Sequence, residues 1–413
     1  LKVREGWATR HVVSPSPREV VRQEQVAERH STLSGLAALA GRLTGRPLLP
    51  GNRVVHLVDG DETYPNMLAA ITAAERTISL ASYIFDSDAS GDEFLQALVA
   101  AHRRGVKVRV LVDYVGSRYS KVSMVDQLRK AGVPARNFLP TRVPWFAPYT
   151  NLRNHRKILV VDGRIGFTGG TNIREGHRLK RRPKSPVQCL HFRFEGPAVW
   201  HLQEAFALDW AFVTQEVLAG EEWFPLIERC GDVWARGIDD GPDEDFDKLE
   251  LVMIGALATA QKTVDIVTPY FLPEAGLLHA LNSAALRGVR VRVVLPSVNN
   301  IPAVHWASRA MWWQVLERGC QIFLTPPPFD HTKLFLVDGI WSLLGSTNWD
   351  PRSLRLNFEF NVECYDEPLA ASLSPLIEQR VAAAREVTLD QVNSRRLAVQ
   401  LMDGLARLAS PYL

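Results

Sequence analysis

Apolar residues along this chain fall into two alternating rhythms, and the rhythms pass through the same cycle twice. Residues 54–58, 77–85 and 106–113 read as strands. Between them, 64–76 reads as a helix with Met67, Leu68, Ile71 and Ala74 on one face, and 92–104 as another. Residues 123–131 carry Met124, Val125 and Leu128 at helical spacing, 192–194 reads as a strand, and 198–212 as a long helix. The second cycle predicts helices over 249–260, 276–287 and 301–318, with strands over 263–268 and 289–295. Strand entries match between cycles: Arg103-Arg104-Gly105-Val106-Lys107-Val108-Arg109-Val110 against Leu286-Arg287-Gly288-Val289-Arg290-Val291-Arg292-Val293. Alternating strands and helices mean a layered α/β fold, and the repeat means two similar lobes.

Breaks in the pattern divide the chain. Residues 1–50 open irregularly with Pro15 and Pro17, continue as one or two amphipathic helices over 18–43, and stop at Pro47, Pro50 and Gly51. This segment is expected to cap the body. The first lobe spans 51–236 and the second 248–388. Gly237-Ile238-Asp239-Asp240-Gly241-Pro242-Asp243-Glu244-Asp245 reads as part of an acidic, turn-rich linker over 237–247. The last segment, 389–413, holds a charged helix over 389–408 expected to pack on the body.

Composition narrows the class. Hydrophobic content of 46% and charged content of 23% in 413 residues fit a globular chain with more than one core, and a net charge of +3 does not demand a nucleic-acid partner. Cys189, Cys230, Cys320 and Cys364 form no Cys-x-x-Cys pair, which argues against a disulfide framework or a zinc knuckle. No apolar run reaches bilayer length; the longest, 33–43, is interrupted by Arg42. The chain opens on Leu1 rather than Met, so a removed leader or anchor stays open.

One sentence of chemistry is written twice. Asn154-His155-Arg156-Lys157-Ile158-Leu159-Val160-Val161-Asp162-Gly163 is matched by Asp330-His331-Thr332-Lys333-Leu334-Phe335-Leu336-Val337-Asp338-Gly339. Each copy ends in small residues and an asparagine, Gly169-Gly170-Thr171-Asn172 and Gly345-Ser346-Thr347-Asn348. The apolar runs read as buried strands, and residues two apart share a face, so His155 sits beside Lys157 and His331 beside Lys333. Asp162 and Asp338 fall at turns of opposite parity and read as structural. Imidazole, ammonium and carboxamide groups converging from a strand and a turn suit a phosphate.

The paired motifs resemble the HKD motifs of the phospholipase D superfamily. The resemblance runs from about Gly51 to the C-terminus. Stretches such as Tyr83-Ile84-Phe85, Thr268-Pro269-Tyr270-Phe271 and Asn348-Trp349-Asp350-Pro351-Arg352-Ser353 look like bacterial cardiolipin synthases. That likeness implies a duplicated fold of two αβα-layered lobes with mixed sheets, related by a pseudo-twofold, with one active site between them. It further implies a phosphatidyl transferase that makes cardiolipin from phosphatidylglycerol through a phosphohistidine, without cofactor or metal, with water as an alternative acceptor. Lys157, Lys333, Asn172 and Asn348 would hold the phosphate. One of His155 and His331 would attack while the other protonates the leaving alkoxide. The expected location is peripheral to the inner membrane of a bacterium.

Members of the superfamily place an acidic residue behind each histidine. Glu359, in Asn357-Phe358-Glu359, resembles that orienter in the second half, and the matching place in the first half holds Cys189. Read within each half, this puts Glu359 behind His331 and Cys189 behind His155. A carboxylate keeps an imidazole protonated to higher pH, so His331 is expected to be the acid and His155 the nucleophile. An alternative is that Cys189 is a core residue and Gln188 or another group orients His155. Substrate is not decided by the motif: a nucleic-acid phosphodiesterase, and a degenerate lipid-binding scaffold, remain alternatives. Two segments bear on it. Val143-Pro144-Trp145-Phe146-Ala147-Pro148-Tyr149 offers an aromatic loop, and Arg178-Leu179-Lys180-Arg181-Arg182-Pro183-Lys184 a basic run for anionic headgroups or a nucleic-acid backbone. Trp306, Trp312 and Trp313 read as core or cleft wall.

Overall fold

The computed structural model describes residues 31–120, 122–140, 151–242 and 247–409. In the first half the strands are β1 (Leu49–Val58), β2 (Thr77–Ser82), β3 (Lys107–Asp113), β4 (Ala135–Phe138), β5 (Arg153–Asn154), β6 (Ile158–Val161), β7 (Ile165–Gly169), β8 (Val187–Gln188) and β9 (Leu190–Glu195). The second half has β10 (Val233–Asp240), β11 (Thr263–Val267), β12 (Arg290–Pro296), β13 (Gln321–Thr325), β14 (Phe329–Asp330), β15 (Leu334–Val337), β16 (Trp341–Gly345), β17 (Asn357–Tyr365) and β18 (Arg385–Val387).

One sheet runs through both halves in the order β18-β13-β12-β11-β15-β16-β17-β10-β1-β9-β7-β6-β2-β3-β4. Read from its middle outward, each side gives the same sequence of roles. A long strand (β1 or β10) is followed by an antiparallel trio ending in the motif strand (β6 or β15), then parallel strands toward the edge. Of the parallel members, β2 is buried along its whole length and β12 along all but its first residue, as strands covered on both faces must be.

Helices cover both faces. Leu98, Phe94, Ile71 and Tyr64, from the helices Asp59–Ala73 and Ala89–Arg103, pack one face of the first half. The helices Val199–Thr214 and Glu367–Ala383 join the sheets of both halves in one shared core around Phe206, Trp210, Phe358, Phe360 and Leu373. The helix Ser34–Thr44 buries Leu36, Ala37 and Ala40 against the second half, beside Val252 and Ala256. It is the described part of the expected N-terminal helical segment.

Three expectations are corrected. Residues 237–240 are not linker: they finish β10, which pairs with β17 from Trp234 to Asp240 and with β1 on its other edge. Ile238 is fully buried there, and Asp239 carries an ion pair with Arg46 at 2.9 Å, so acidic residues that looked solvated are strand positions with partners. The helix expected over 301–318 is two helices, Pro302–Arg309 and Trp312–Leu316. That expected over 389–408 is Leu389–Asn393 followed by Leu397–Leu408. The aromatic loop 143–149 lies outside the described residues.

Candidate active site

The twofold arrangement brings the motifs face to face by a crossed handshake. The two residues before His155 form β5 and pair with β17 of the second half, Arg153 beside Asn357 and Asn154 beside Phe358. The two before His331 form β14 and pair with β8 of the first half, Phe329 beside Val187 and Asp330 beside Gln188. Each histidine's own N–H completes the pattern: His155 donates to the Phe358 carbonyl at 2.9 Å and His331 to that of Gln188 at 2.7 Å. The imidazole centroids are 6.4 Å apart with rings at 89°. Both rings line a cleft of about 400 Å³, together with Asn172 and Asn348.

The crossing decides which group stands behind each histidine, and it reverses the expected pairing. Glu359 lies two residues past the contact made by Asn357, so it points at the histidine of the other half. Its carboxylate accepts from His155 Nδ1 at 2.8 Å and 3.0 Å. Ser346 donates to the same carboxylate, and Asn357 does so at 3.1 Å. Cys189, at the equivalent first-half position, stands by His331, its Sγ donating to the His331 carbonyl at 3.3 Å. The His331 ring is held instead by Nδ1 donating to the Gly170 carbonyl at 3.1 Å. Each Nδ1–H bond leaves an Nε2 lone pair for the cleft. Reading partners within one half failed because the lobes exchange strands, which no local spacing reveals.

Lys157 and Lys333 are buried, and each Nζ donates to the carbonyl of its own motif's histidine, at 2.7 Å and 2.8 Å. Burial pushes Lys157 down to about 7 and Lys333 down to about 8, each opposed by Glu359. Burial also lowers both imidazoles. Glu359 resists this at His155, which falls to about 4; His331, facing both lysines and no carboxylate, falls well below the ordinary histidine value. At Glu359 burial alone would raise the carboxyl, and His155, Lys157 and the Ser346 hydroxyl together outweigh it, holding the group below its usual range. His155 is therefore the more basic imidazole, opposite to the in-half reading.

Asn172 accepts from the Ile84 N–H at 3.2 Å, which leaves its amide N–H2 for a ligand. Asn348 contacts the Ser353 hydroxyl at 3.0 Å through Nδ2, while its Oδ1 is buried without a partner. A half-turn of the amide lets Ser353 donate to Oδ1 and leaves Nδ2 as the group without a partner. Asp162 and Asp338 are far from this chemistry. At φ of 52° and 54°, each receives three backbone N–H groups: Glu75, Arg76 and Thr77 for Asp162, and Gln261, Lys262 and Thr263 for Asp338. They fasten the motif strand to the start of its neighbour.

Several supporting groups carried no signal in the motif reading. Arg156 is fully buried, donating to Asp209 at 2.9 Å and to the Glu359 carbonyl at 3.0 Å. Arg380 plays the matching part in the second half, bonding Asp330 and Thr332. Removing one partner of such a buried pair typically costs about 3–5 kcal/mol. Tyr83 packs edge-on to His155 at 5.1 Å, and Tyr270 to His331 at 6.4 Å. The basic run is partly engaged: Arg178 and Arg181 bind Glu93, while Lys180, Arg182 and Lys184 are exposed. Trp312 is core, donating to Ser308, and Trp313 is 43% exposed, so the tryptophans form no cage. Among the described residues no group of three or more His, Cys, Asp or Glu side chains is set to hold a metal ion.

Comparison with known proteins adds a second line of observation. A family model described as cardiolipin synthase, PLD-like domain, matches residues 67–179 and 253–381. Cardiolipin synthase 2 of Bacillus cereus is 33% identical over 393 residues, covering 95% of this chain and 76% of that protein. The cardiolipin synthase of Geobacillus kaustophilus is 32% identical over 404 residues, covering 97% and 79%. Among solved structures, a phosphatidylserine synthase of Haemophilus influenzae superposes with a TM-score of 0.70 at 16% identity, covering 92% of this chain and all of that one. A polyphosphate kinase of Porphyromonas gingivalis superposes at 0.55 and 13% identity, over 86% of this chain and 53% of its own. At such identities the structural matches speak for the fold alone.

Proposed function

This chain belongs to the cardiolipin synthase family with its phospholipase D-like domain, and from that footing we propose that it makes cardiolipin by transferring a phosphatidyl group between two phosphatidylglycerol molecules. The observation that carries the reading is the pair of imidazoles facing each other across one cleft, backed by two buried lysines.

His155 attacks phosphorus through Nε2, the P–O bond to glycerol breaks, and the leaving alkoxide takes a proton from His331 Nε2. In the second step an incoming hydroxyl gives its proton to His331, its oxygen bonds phosphorus, and the P–N bond returns its electrons to His155. The earlier ground for making His155 the nucleophile, the lack of a carboxylate, no longer stands. A different one replaces it. Bond formation between Nε2 and phosphorus makes the ring cationic, and Glu359 at 2.8 Å from Nδ1 neutralises that charge, as the carboxylate does for the imidazolium of a Ser-His-Asp triad. His331 takes up its proton when the anionic phosphate enters between the lysines and offsets their field. The lysines and the two asparagines serve the non-bridging oxygens.

Contact with a bilayer is supported by the helix Leu397–Leu408. Its inner face is tied down by Asp403, which binds Arg309 and Arg395, and by Ala406 beside Tyr270 and Val304 at the cleft wall. Its outer face presents Leu397, Leu401, Leu405 and Leu408, each at least 60% exposed, with Arg396 and Arg407 exposed for anionic headgroups. Among the described residues no helix is long and apolar enough to cross a membrane. From that leucine face we propose that the enzyme contacts a bacterial membrane surface, its cleft toward the lipid. Leu401→Asp with Leu405→Asp should lower the fraction sedimenting with phosphatidylglycerol vesicles by about tenfold, from the apolar area withdrawn from lipid.

Incubation with phosphatidylglycerol vesicles in EDTA tests the activity. Cardiolipin and glycerol should accumulate together. Phosphatidic acid alone would mean hydrolysis, cleavage of labelled single-stranded DNA alone would mean a nuclease, and binding without turnover would mean a scaffold. A phosphohistidine mapped to His331 would refute the assignment of roles.

A further inference from the structure

The cleft is not symmetric. Its twofold-equivalent walls differ most at the residue two before each histidine: Arg153 on one side and Phe329 on the other. On an extended chain, residues two apart share a face, and both Arg153 and Phe329 line the cleft with their histidines. Phe329 lies 5.9 Å from His331 and 6.3 Å from Tyr270, an aromatic wall. Arg153 is joined by Arg352, from the first turn of the helix Pro351–Arg355, which also lines the cleft.

Both guanidiniums are half-buried, and neither has a carboxylate within ion-pair distance among the described residues. Arg153 donates to the carbonyl of its own neighbour Leu152 at 2.7 Å, and Arg352 to Asn151 at 3.4 Å. The acidic groups nearby are committed. Asp113 receives the N–H groups of Val115, Gly116 and Asn154, and Asp350 caps the helix through Ser353. Burial lowers Arg153, Asp113 opposes, and Arg352 adds to the lowering, so the two cations feel one another. Two like charges that line one cleft, half out of water, with the nearby carboxylates of Asp113 and Asp350 bonded to backbone N–H groups, suit an anion that arrives with the ligand.

We propose that Arg153 and Arg352 form a second phosphate subsite, which holds the phosphodiester of the acceptor phospholipid while its free hydroxyl reaches the phosphohistidine. This rests on the phosphatidyl-transfer reading above and adds to it the basis of acceptor choice. Phosphatidylglycerol carries its phosphate one glycerol away from its attacking hydroxyl, so a cationic pair on the cleft wall selects it over water, which has no such handle. The reacting phosphate sits between the imidazoles; the second sits on the arginine wall, since Arg174, which also lines the cleft, is already paired with Asp86 at 3.2 Å. The transfer step is as given above: the acceptor O–P bond forms, the P–N bond to His155 breaks, and the hydroxyl proton goes to His331.

The experiment compares two acceptors on the same phosphatidyl-enzyme. Phosphatidylglycerol vesicles are supplied with labelled free glycerol, and the rate of cardiolipin formation is divided by the rate of label exchange into phosphatidylglycerol. Arg153→Gln and Arg352→Gln should each lower that ratio by about tenfold or more, the worth of a charge-assisted contact, and Arg153→Lys should recover part of it. An unchanged ratio, including loss of both reactions in step, overturns the proposal, because the arginines would then serve the donor or the fold. A measurement on the unaltered protein guards against a variant that fails to fold. Labelled lysophosphatidylglycerol should outcompete labelled monoacylglycerol as acceptor in the same vesicles by about tenfold, and equal use overturns the proposal. If unaltered protein gives neither cardiolipin nor exchange, the transferase reading itself has failed, which is a different result from a flat ratio.

Discussion

Around His155 the second half supplies Glu359 and Ser346; around His331 the first half supplies Cys189 and Gly170 in the equivalent places. The two sets interlock. Ser346 has a hydroxyl because a carboxylate stands opposite to receive it. Gly170 has no side chain because Cys189 and the His331 backbone fill the space: an added Cβ would lie 2.6 Å from Cys189 Sγ and 2.8 Å from the His331 carbonyl oxygen. One imidazole is buffered by a charge, the other is positioned by a carbonyl dipole. A duplicated fold has kept two histidines in matching geometry while giving them different electrostatics, and the proposed division of attack and protonation rests on that difference.

The largest test of that division removes the rings. His155→Ala should cut cardiolipin formation by at least about 10^4-fold, the scale of losing a nucleophile. His331→Ala should cost about 10²- to 10⁴-fold with phosphatidylglycerol. It should cost under about tenfold in the burst of p-nitrophenol from a p-nitrophenyl phosphodiester, whose leaving group needs no proton. If the burst survives His155→Ala instead, the roles are exchanged.

The groups behind the rings come next. Glu359→Gln should lower turnover by about 10²- to 10⁴-fold, since a triad carboxylate has that scale. Gly170→Ala should lower it by about tenfold to a hundredfold by displacing the carbonyl that positions His331, because small misplacements of a reacting group are costly. Cys189→Ala, which leaves that carbonyl in place, should change turnover by less than about threefold. Comparable losses from Glu359→Gln and Cys189→Ala would erase the asymmetry.

The smallest effect to resolve is the pH profile. Lys157 and Lys333, lowered by burial to about 7 and about 8, must be charged to bind phosphate, so affinity for an unreactive phosphodiester should fall as pH rises through that range. His155, lowered by burial to about 4 against the pull of Glu359, must be neutral to attack, so the acid limb should lie near pH 4. Glu359→Gln removes the group that raises His155 and should move the acid limb lower still. An acid limb near the ordinary histidine value would contradict the buried-imidazole account.

Much of the fold could be read along the chain. The helix and strand cycle, its repetition, and the face shared by His155 with Lys157 all follow from periods of 3.6 and 2 residues, which are local properties of the backbone. What escaped the reading has a common cause. β10 looked like linker because Asp239 and Asp240 are acidic, yet their partners Arg46 and the β17 backbone are far away in sequence. Arg156 gave no sign that it would be buried, because Asp209 lies on a helix 53 residues on.

The sequence by itself determined that two matching motif strands exist and which side chains each presents, because residue types and their spacing settle the face of a strand. Only the tertiary structure decided which histidine meets Glu359, which meets Cys189, and that Arg153 and Arg352 line one cleft. Those contacts are made by β5 and β14 crossing to the opposite half, and a contact between chain segments 142 or 204 residues apart depends on how the lobes pack, not on any spacing within either one.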